Sequence, residues 1–178
     1  VSSVAFSPDG AHLAAAVANT LKTWQITSGD PVDALTDLGE GVLCLAFSPD
    51  GARIATGSSD GAVRVYDTEG DLQHTLLGHT DYVRDVQFSP AGSVLASGSD
   101  DGSVRLWDMA SGELLRDIDG HPDYVRAIAF GPIGQLLASG CDDGIVRLWD
   151  VDTGEMLREL TGHVDFVRDV AISPDGAL

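Results

Sequence analysis

Lysine is almost missing from this chain. Lys22 is the only one in 178 residues, and ten basic side chains face 28 acidic ones, for a formal charge of −18. A surface of that sign repels phosphate backbones, so nucleic acid is not an expected partner. Long apolar runs are missing too. Hydrophobic residues make up 43% of the chain, ample for a core, yet no stretch approaches the roughly 18 residues of a membrane span, and no membrane partner is expected. Cysteine is scarce: Cys44 and Cys141 lie far apart and lack metal-ligand spacing. They read as small buried thiols in a reducing compartment, which gives a cytoplasmic expectation. There is no Gly-rich phosphate loop, and the Asp-Asp-Gly runs lack the spaced acidic ligands of a calcium loop. No cofactor, metal or catalytic residue is expected. A leader is also lacking, since Val1 already lies in what reads as a strand; this suggests a piece of something longer.

What the chain does have is a repeated phrase. GHTDYVRDVQFSPAGSVLASGSDDGSVRLWD begins at Gly78, and GHPDYVRAIAFGPIGQLLASGCDDGIVRLWD begins at Gly120. Aligned on the residue before the first turn, the units fall at Phe6, Phe47, Phe88, Phe130 and Ile172, in steps of 41 or 42 residues. A fixed period of this length is the signature of a repeat architecture. Units of about 1–37, 38–78, 79–120 and 121–162 follow, with the start of a fifth at 163–178.

Each unit reads as four short strands; in the third they are predicted at 83–88, 93–99, 103–107 and 113–118. Ser-Pro-Asp-Gly or a variant marks the first turn, proline presetting φ and glycine closing it. Asp60-Gly61, Asp101-Gly102 and Asp143-Gly144 mark the second, and this hairpin signal predicts positive φ at both residues. Gly29, Gly70, Gly112 and Gly154 mark the third. Even spacing of short strands predicts an all-β meander. The second strand, with Leu95, Ala96, Ser97 and Gly98, is small or apolar on both faces, so neighbouring units must cover it. Stacking units side by side about an axis does so, which is a β-propeller.

Gly78-His79 to Trp107-Asp108, Gly120-His121 to Trp149-Asp150 and Gly162-His163 carry a resemblance over the whole length. The chain resembles the WD40-repeat β-propeller family. The expected fold is four four-stranded antiparallel blades plus the first strand of a fifth. Because rings of the family usually have seven or more blades, the expectation is a segment of such a ring. Two copies sharing one ring, or a closed ring of four blades, are the alternatives.

His79, Ser97, Asp101 and Trp107 recur at the same intervals as His121, Ser139, Asp143 and Trp149. The residue types suggest a nucleophilic triad, but nothing distinguishes one copy as a working site. A chain of hydrogen bonds from indole to hydroxyl to imidazole to carboxylate explains them better, and the resemblance implies the same structural clamp. The second unit has Leu38, Thr56, Asp60 and Tyr66 at these places, and the first has Ala15, Asn19 and Trp24. His12 and His74 fall outside the pattern and are expected on the surface.

The resemblance implies that partners meet the face bearing the Gly-His loops. Tyr82 and Arg84, Tyr124 and Arg126, and Phe166 and Arg168 are expected there, residue types enriched at hot spots. The arginines have a rival role: Arg84 and Asp100, and Arg126 and Asp142, occur together and are both lacking in the first two units, which favours salt bridges within a unit. The expected function is a non-catalytic scaffold or recognition module for a protein or peptide, which the acidic surface allows to be basic. The remaining blades of the same chain, or a second copy, are further expected partners. A sensory or architectural segment of a bacterial signalling NTPase or kinase is the alternative, and a propeller-fold hydrolase a weaker one.

Overall fold

The computed structural model describes residues 1–35, 38–39 and 41–176, with backbone alone at 33–35. The unit boundary expected at residue 37 lies outside the described residues. Among the described residues all regular elements are strands, and no helix is long and apolar enough to cross a membrane. Blade one holds Ser3–Phe6, His12–Val17, Thr20–Gln25 and Pro31–Leu35 (β1 to β4), and blade two Val42–Phe47, Arg53–Ser58, Val63–Asp67 and Leu72–Leu76 (β5 to β8). Blade three holds Val83–Phe88, Val94–Ser99, Val104–Asp108 and Leu114–Ile118 (β9 to β12); blade four holds Val125–Phe130, Leu136–Cys141, Val146–Asp150 and Met156–Leu160 (β13 to β16). Each is a four-stranded antiparallel meander, as a propeller blade should be.

Turn chemistry fixes the corners. In the Ser48–Gly51 turn, Asp50 Oδ1 accepts from the Ser48 hydroxyl at 2.5 Å and the Ala52 amide at 3.0 Å, and Gly51 takes φ +72°. The second hairpin differs from the sequence expectation. Positive φ falls on Gly61, Gly102 and Gly144 but not on the preceding aspartates. The Gly102 amide donates to the Ser99 carbonyl, and the Ser99 amide to the Ser103 carbonyl, a three-residue loop whose last residue is left-handed. The aspartate is thereby left in ordinary backbone geometry, its carboxylate free to cap the loop. In blade one the loop is a residue shorter, and Ala18 takes the left-handed conformation at φ +56°, at a cost of about 1–2 kcal/mol.

The blades stack through their inner strands, β1 on β5, β5 on β9 and β9 on β13. Two glycines show how close they come. A Cβ on Gly57 would lie 2.6 Å from Val83 Cγ1, and one on Gly98 would lie 2.9 Å from Val125 Cγ1. Leu95 and Leu137 are fully buried by this stacking, each worth about 1.5–3 kcal/mol. Segment 167–172 occupies the next inner position: the Val167 amide donates to the Cys141 carbonyl at 3.1 Å, and Val170 and Ile172 join the cluster of Leu136 and Leu148. It forms the expected start of a fifth blade, without ladder pairing because no second strand of that blade lies among the described residues. On the other side, Val4 and Phe6 remain exposed, a surface that a closed ring of four blades would cover.

Side chains also stitch inner strands together. The Ser3 hydroxyl accepts from the Leu45 amide at 3.3 Å, Gln87 Oε1 from the Phe130 amide at 2.6 Å and Asp85 from the Ile128 amide at 2.9 Å. Both cysteines are buried and free. Burial raises both thiols, Cys44 well above its ordinary value and Cys141 to about 11. Burial likewise pushes Asp85 up to about 6, opposed by the Ile128 and Val86 amides and reinforced by Asp169. Asp85 in turn adds to the rise of the Cys44 thiol. A carboxyl whose folded pKa is raised holds its proton more tightly when folded, so its share of stability falls as pH rises between about 4 and about 6. Asp85→Asn is therefore expected to raise the melting temperature at pH 7 and leave it nearly unchanged at pH 4. Equal effects at both pH values would refute this account of the seam.

Candidate functional site

Each tetrad takes its histidine from the loop before the blade's first strand, its serine from within the second strand, its aspartate from the hairpin after it and its tryptophan from the third strand. In blade three the chain of bonds is continuous. Trp107 Nε1 donates to Ser97 Oγ at 2.9 Å, His79 Nε2 lies 2.7 Å from the same oxygen, and His79 Nδ1 lies 3.0 Å from Asp101 Oδ2. A carboxylate only accepts, so Nδ1 carries the proton and Nε2 accepts from the serine hydroxyl. Asp101 also accepts from the Thr80 amide at 3.0 Å and the Ser103 hydroxyl at 2.6 Å. Burial works to raise this carboxyl, but the bonds from His79, Ser103 and Thr80 outweigh it and hold the group well below the usual carboxylate range.

Blade four keeps only part of this chain. Trp149 Nε1 donates to Ser139 Oγ at 2.8 Å, and His121 Nε2 lies 2.7 Å from it. His121 Nδ1, however, donates to the Gly102 carbonyl at 3.2 Å, while Asp143 accepts from Arg147 Nη2 at 2.7 Å. The expected imidazole–carboxylate contact is thus replaced. Two of the donors that fix Asp101 are missing here: the Ser103 hydroxyl has Ile145 as its counterpart, and the Thr80 amide has Pro122, which carries no N–H. Burial and the Arg147 charge then lower His121 to about 4, against the pull of Gly102 and Asp143. In blade two the network is gone. Leu38 and Tyr66 are buried together in an apolar cluster, and Asp60 is paired with Arg64 at 2.7 Å.

Neither serine is placed for nucleophilic chemistry. Ser97 and Ser139 are fully buried, each between an indole and an imidazole, so a substrate carbonyl has no approach. His12 and His74, expected on the surface, are half-buried between blades; His74 packs against Gly112.

The aromatic and arginine positions form a second constellation. Arg84 holds Asp100 through Nε at 2.9 Å and through Nη2, and Arg126 holds Asp142 through Nε at 2.9 Å and through Nη2. The pairing is not confined to one unit as expected, because Arg126 Nη1 also reaches Asp100 Oδ1 at 3.3 Å, joining blade four to blade three. Arg168 is the next arginine in this series, and Asp142 Oδ1, the counterpart of the bridged oxygen, is buried without a hydrogen-bond partner among the described residues. Each arginine stacks on its aromatic neighbour, with the guanidinium carbon 5.0 Å from the Tyr82 ring centre, 4.9 Å from Tyr124 and 5.2 Å from Phe166. The rings are nevertheless 43%, 42% and 49% exposed, so their outer faces stay open to solvent.

Sequence reasoning missed Arg64, Arg105 and Arg147, which recur one residue after the start of the third strand in blades two to four. Arg105 ties Asp101 to Asp117, and Arg147 ties Asp143 to Glu159. Their period was the available signal. Gln87 gave none, since the other units do not repeat it, and Asp85 recurs only as Asp169 in the fifth unit.

The family model described as "WD domain, G-beta repeat" matches residues 1–25, 31–67, 70–108, 112–150 and 154–178. No curated protein matches the chain. The matched segments are offset from the blades: 70–108, for instance, takes β8 from blade two and β9 to β11 from blade three. One repeat therefore spans two sheets.

Two expectations follow. Ile145→Ser combined with Pro122→Thr restores the hydroxyl and the amide that hold the carboxylate in blade three, so His121 should titrate above about 4 in an imidazole NMR titration; an unchanged value would mean that these two donors do not govern the contact. Blade one, with Ala15 in place of the tetrad serine and no partner sheet on Phe6, should exchange its amide hydrogens fastest. Uniform protection over all four blades would contradict this.

Proposed function

Because the chain belongs to the WD40 family of G-beta repeats, whose propellers serve in general as protein-interaction scaffolds, we propose that it is a non-catalytic recognition module. It binds a protein or peptide on the face of the Gly-His loops. The observation that carries the reading is the row of half-exposed rings at Tyr82, Tyr124 and Phe166, each backed by a stacked arginine. Tyrosine and phenylalanine offer large contact area at little entropic cost. Here the stacking arginines restrict them further, and Asp100 and Asp142 restrict Arg84 and Arg126 in turn. A surface ordered before binding loses less on association.

Charge points to the kind of partner. Arg84 and Arg126 are neutralised by their aspartates, while Asp81, Asp123 and Asp165 are exposed beside the rings. On a chain of charge −18, a basic segment is favoured by both approach rate and fit. Full burial of Ser97 and Ser139 supports the non-catalytic reading.

Replacing Tyr82, Tyr124 and Phe166 together by alanine tests the face. Folding should be nearly unaffected, as these side chains lie outside the blade cores, while proteins retained by the wild-type chain in affinity capture with quantitative mass spectrometry should be lost. Undiminished capture by the folded triple variant would place the binding surface elsewhere.

A further inference from the structure

A cavity of about 570 Å³ opens between blades one and two, beside the Ser-Pro-Asp-Gly turns and so at the opposite end of the inner strands from the Gly-His loops. His12, Phe47, Gly51 and Thr68 are among the residues lining it. Advancing each by one repeat of 41 residues gives Arg53, Phe88, Gly92 and Met109, and these four meet at the next junction. There Arg53 Nη1 donates to the Met109 carbonyl and Nη2 to the Gly92 carbonyl, both at 3.1 Å, with the guanidinium carbon 5.8 Å from the centre of the Phe88 ring. The arginine closes the gap, leaving Phe88 only 5% exposed. At the two following junctions apolar side chains sit in the same place, Val94 with Phe130 and Leu136 with Ile172.

Blade one has His12 where Arg53 stands in blade two, and an imidazole ends well short of a guanidinium. Phe47 accordingly remains only half-buried. The cavity is the unfilled counterpart of a place that an arginine fills one repeat later. Its charge differs in the same sense. Asp9 and Asp50 both line it, whereas one repeat later the counterpart of Asp50 is Ala91. Each carboxylate is fixed by its own turn, Asp9 through Ser7 and Ala11 and Asp50 through Ser48 and Ala52. These bonds also hold both carboxyls below their ordinary value.

We propose that this cavity is a binding site for an arginine side chain of a partner peptide, its guanidinium over Phe47 and its N–H groups on the carbonyls of Gly51 and Thr68. Arginine is specified over lysine because a planar fork serves two carbonyls while stacking on a ring, which a compact ammonium cannot do. The two carboxylates supply charge complementarity. The site lies away from Tyr82, Tyr124 and Phe166, so it stands or falls independently of the function proposed above.

The probe is the capped tripeptide acetyl-Gly-Arg-Gly-amide, compared with its citrulline and lysine counterparts. Citrulline keeps the shape and loses the charge. Titration followed by NMR should move the Phe47 ring and the Gly51 and Thr68 amides with the arginine peptide, and binding should weaken about tenfold or more for the other two. His12→Arg supplies the missing side chain from within. It should raise the melting temperature by about 2–4 °C for each kcal/mol gained and abolish binding of the arginine peptide. Phe47→Leu, which removes the ring face but keeps apolar bulk, should weaken binding independently. Absence of binding, equal binding of citrulline, shifts centred on Tyr82 and Tyr124, or unimpaired binding by a folded His12→Arg or Phe47→Leu variant would overturn the proposal.

Discussion

Close approach of one thin sheet to the next governs this molecule. A single four-stranded meander has two faces and too little apolar surface to stand alone in water. Here the second strands of blades two to four are lined with alanine, serine or threonine, and glycine, so the neighbour's valines can sit directly on their backbone. Gly57 lies under Val83 and Gly98 under Val125. The small residues are what the stacking distance requires, and the fully buried leucines beside them are what it stabilises.

That constraint explains why polar groups are handled as they are. Burying a serine, a histidine and an indole between sheets is costly unless every donor finds an acceptor. Blade three satisfies this with a continuous chain ending on a multiply bonded aspartate. Blade four reaches the same end with a backbone carbonyl in place of the carboxylate, and blade two abandons polarity for leucine and tyrosine. Equivalent positions thus hold three different solutions to one requirement. The imidazoles and hydroxyls are consumed in structure, while at the rim aromatic rings stand on arginines, two of which are held by aspartates.

Much of this was legible in the chain itself. The repeat of 41 or 42 residues, the turn signals and the alternation of short apolar runs specify the sheets to within a residue or so; the third unit's predicted strands at 83–88 and 93–99 meet observed strands at Val83–Phe88 and Val94–Ser99. Repetition works as a reader's aid because each unit is an independent sample of the same physical problem. The pairing of Arg84 with Asp100 could be read from their joint presence and joint absence. Where the units differ at one or two positions, that aid fails. Ile145 and Pro122 in place of Ser103 and Thr80 take away two donors to a carboxylate, and His121 rests on a carbonyl instead, a result that no spacing encodes.

The order of strands and the antiparallel meander of each blade were determined by sequence alone, because they depend on periodicity and turn geometry within forty-odd residues. Which groups meet across a junction was decided only in three dimensions. Arg126 reaching Asp100, Asp85 held by the Ile128 amide, and the gap over Phe47 that Arg53 fills one repeat later are contacts between different sheets. Their distances are set by how deeply two faces interlock, a property of the packed pair rather than of either strand.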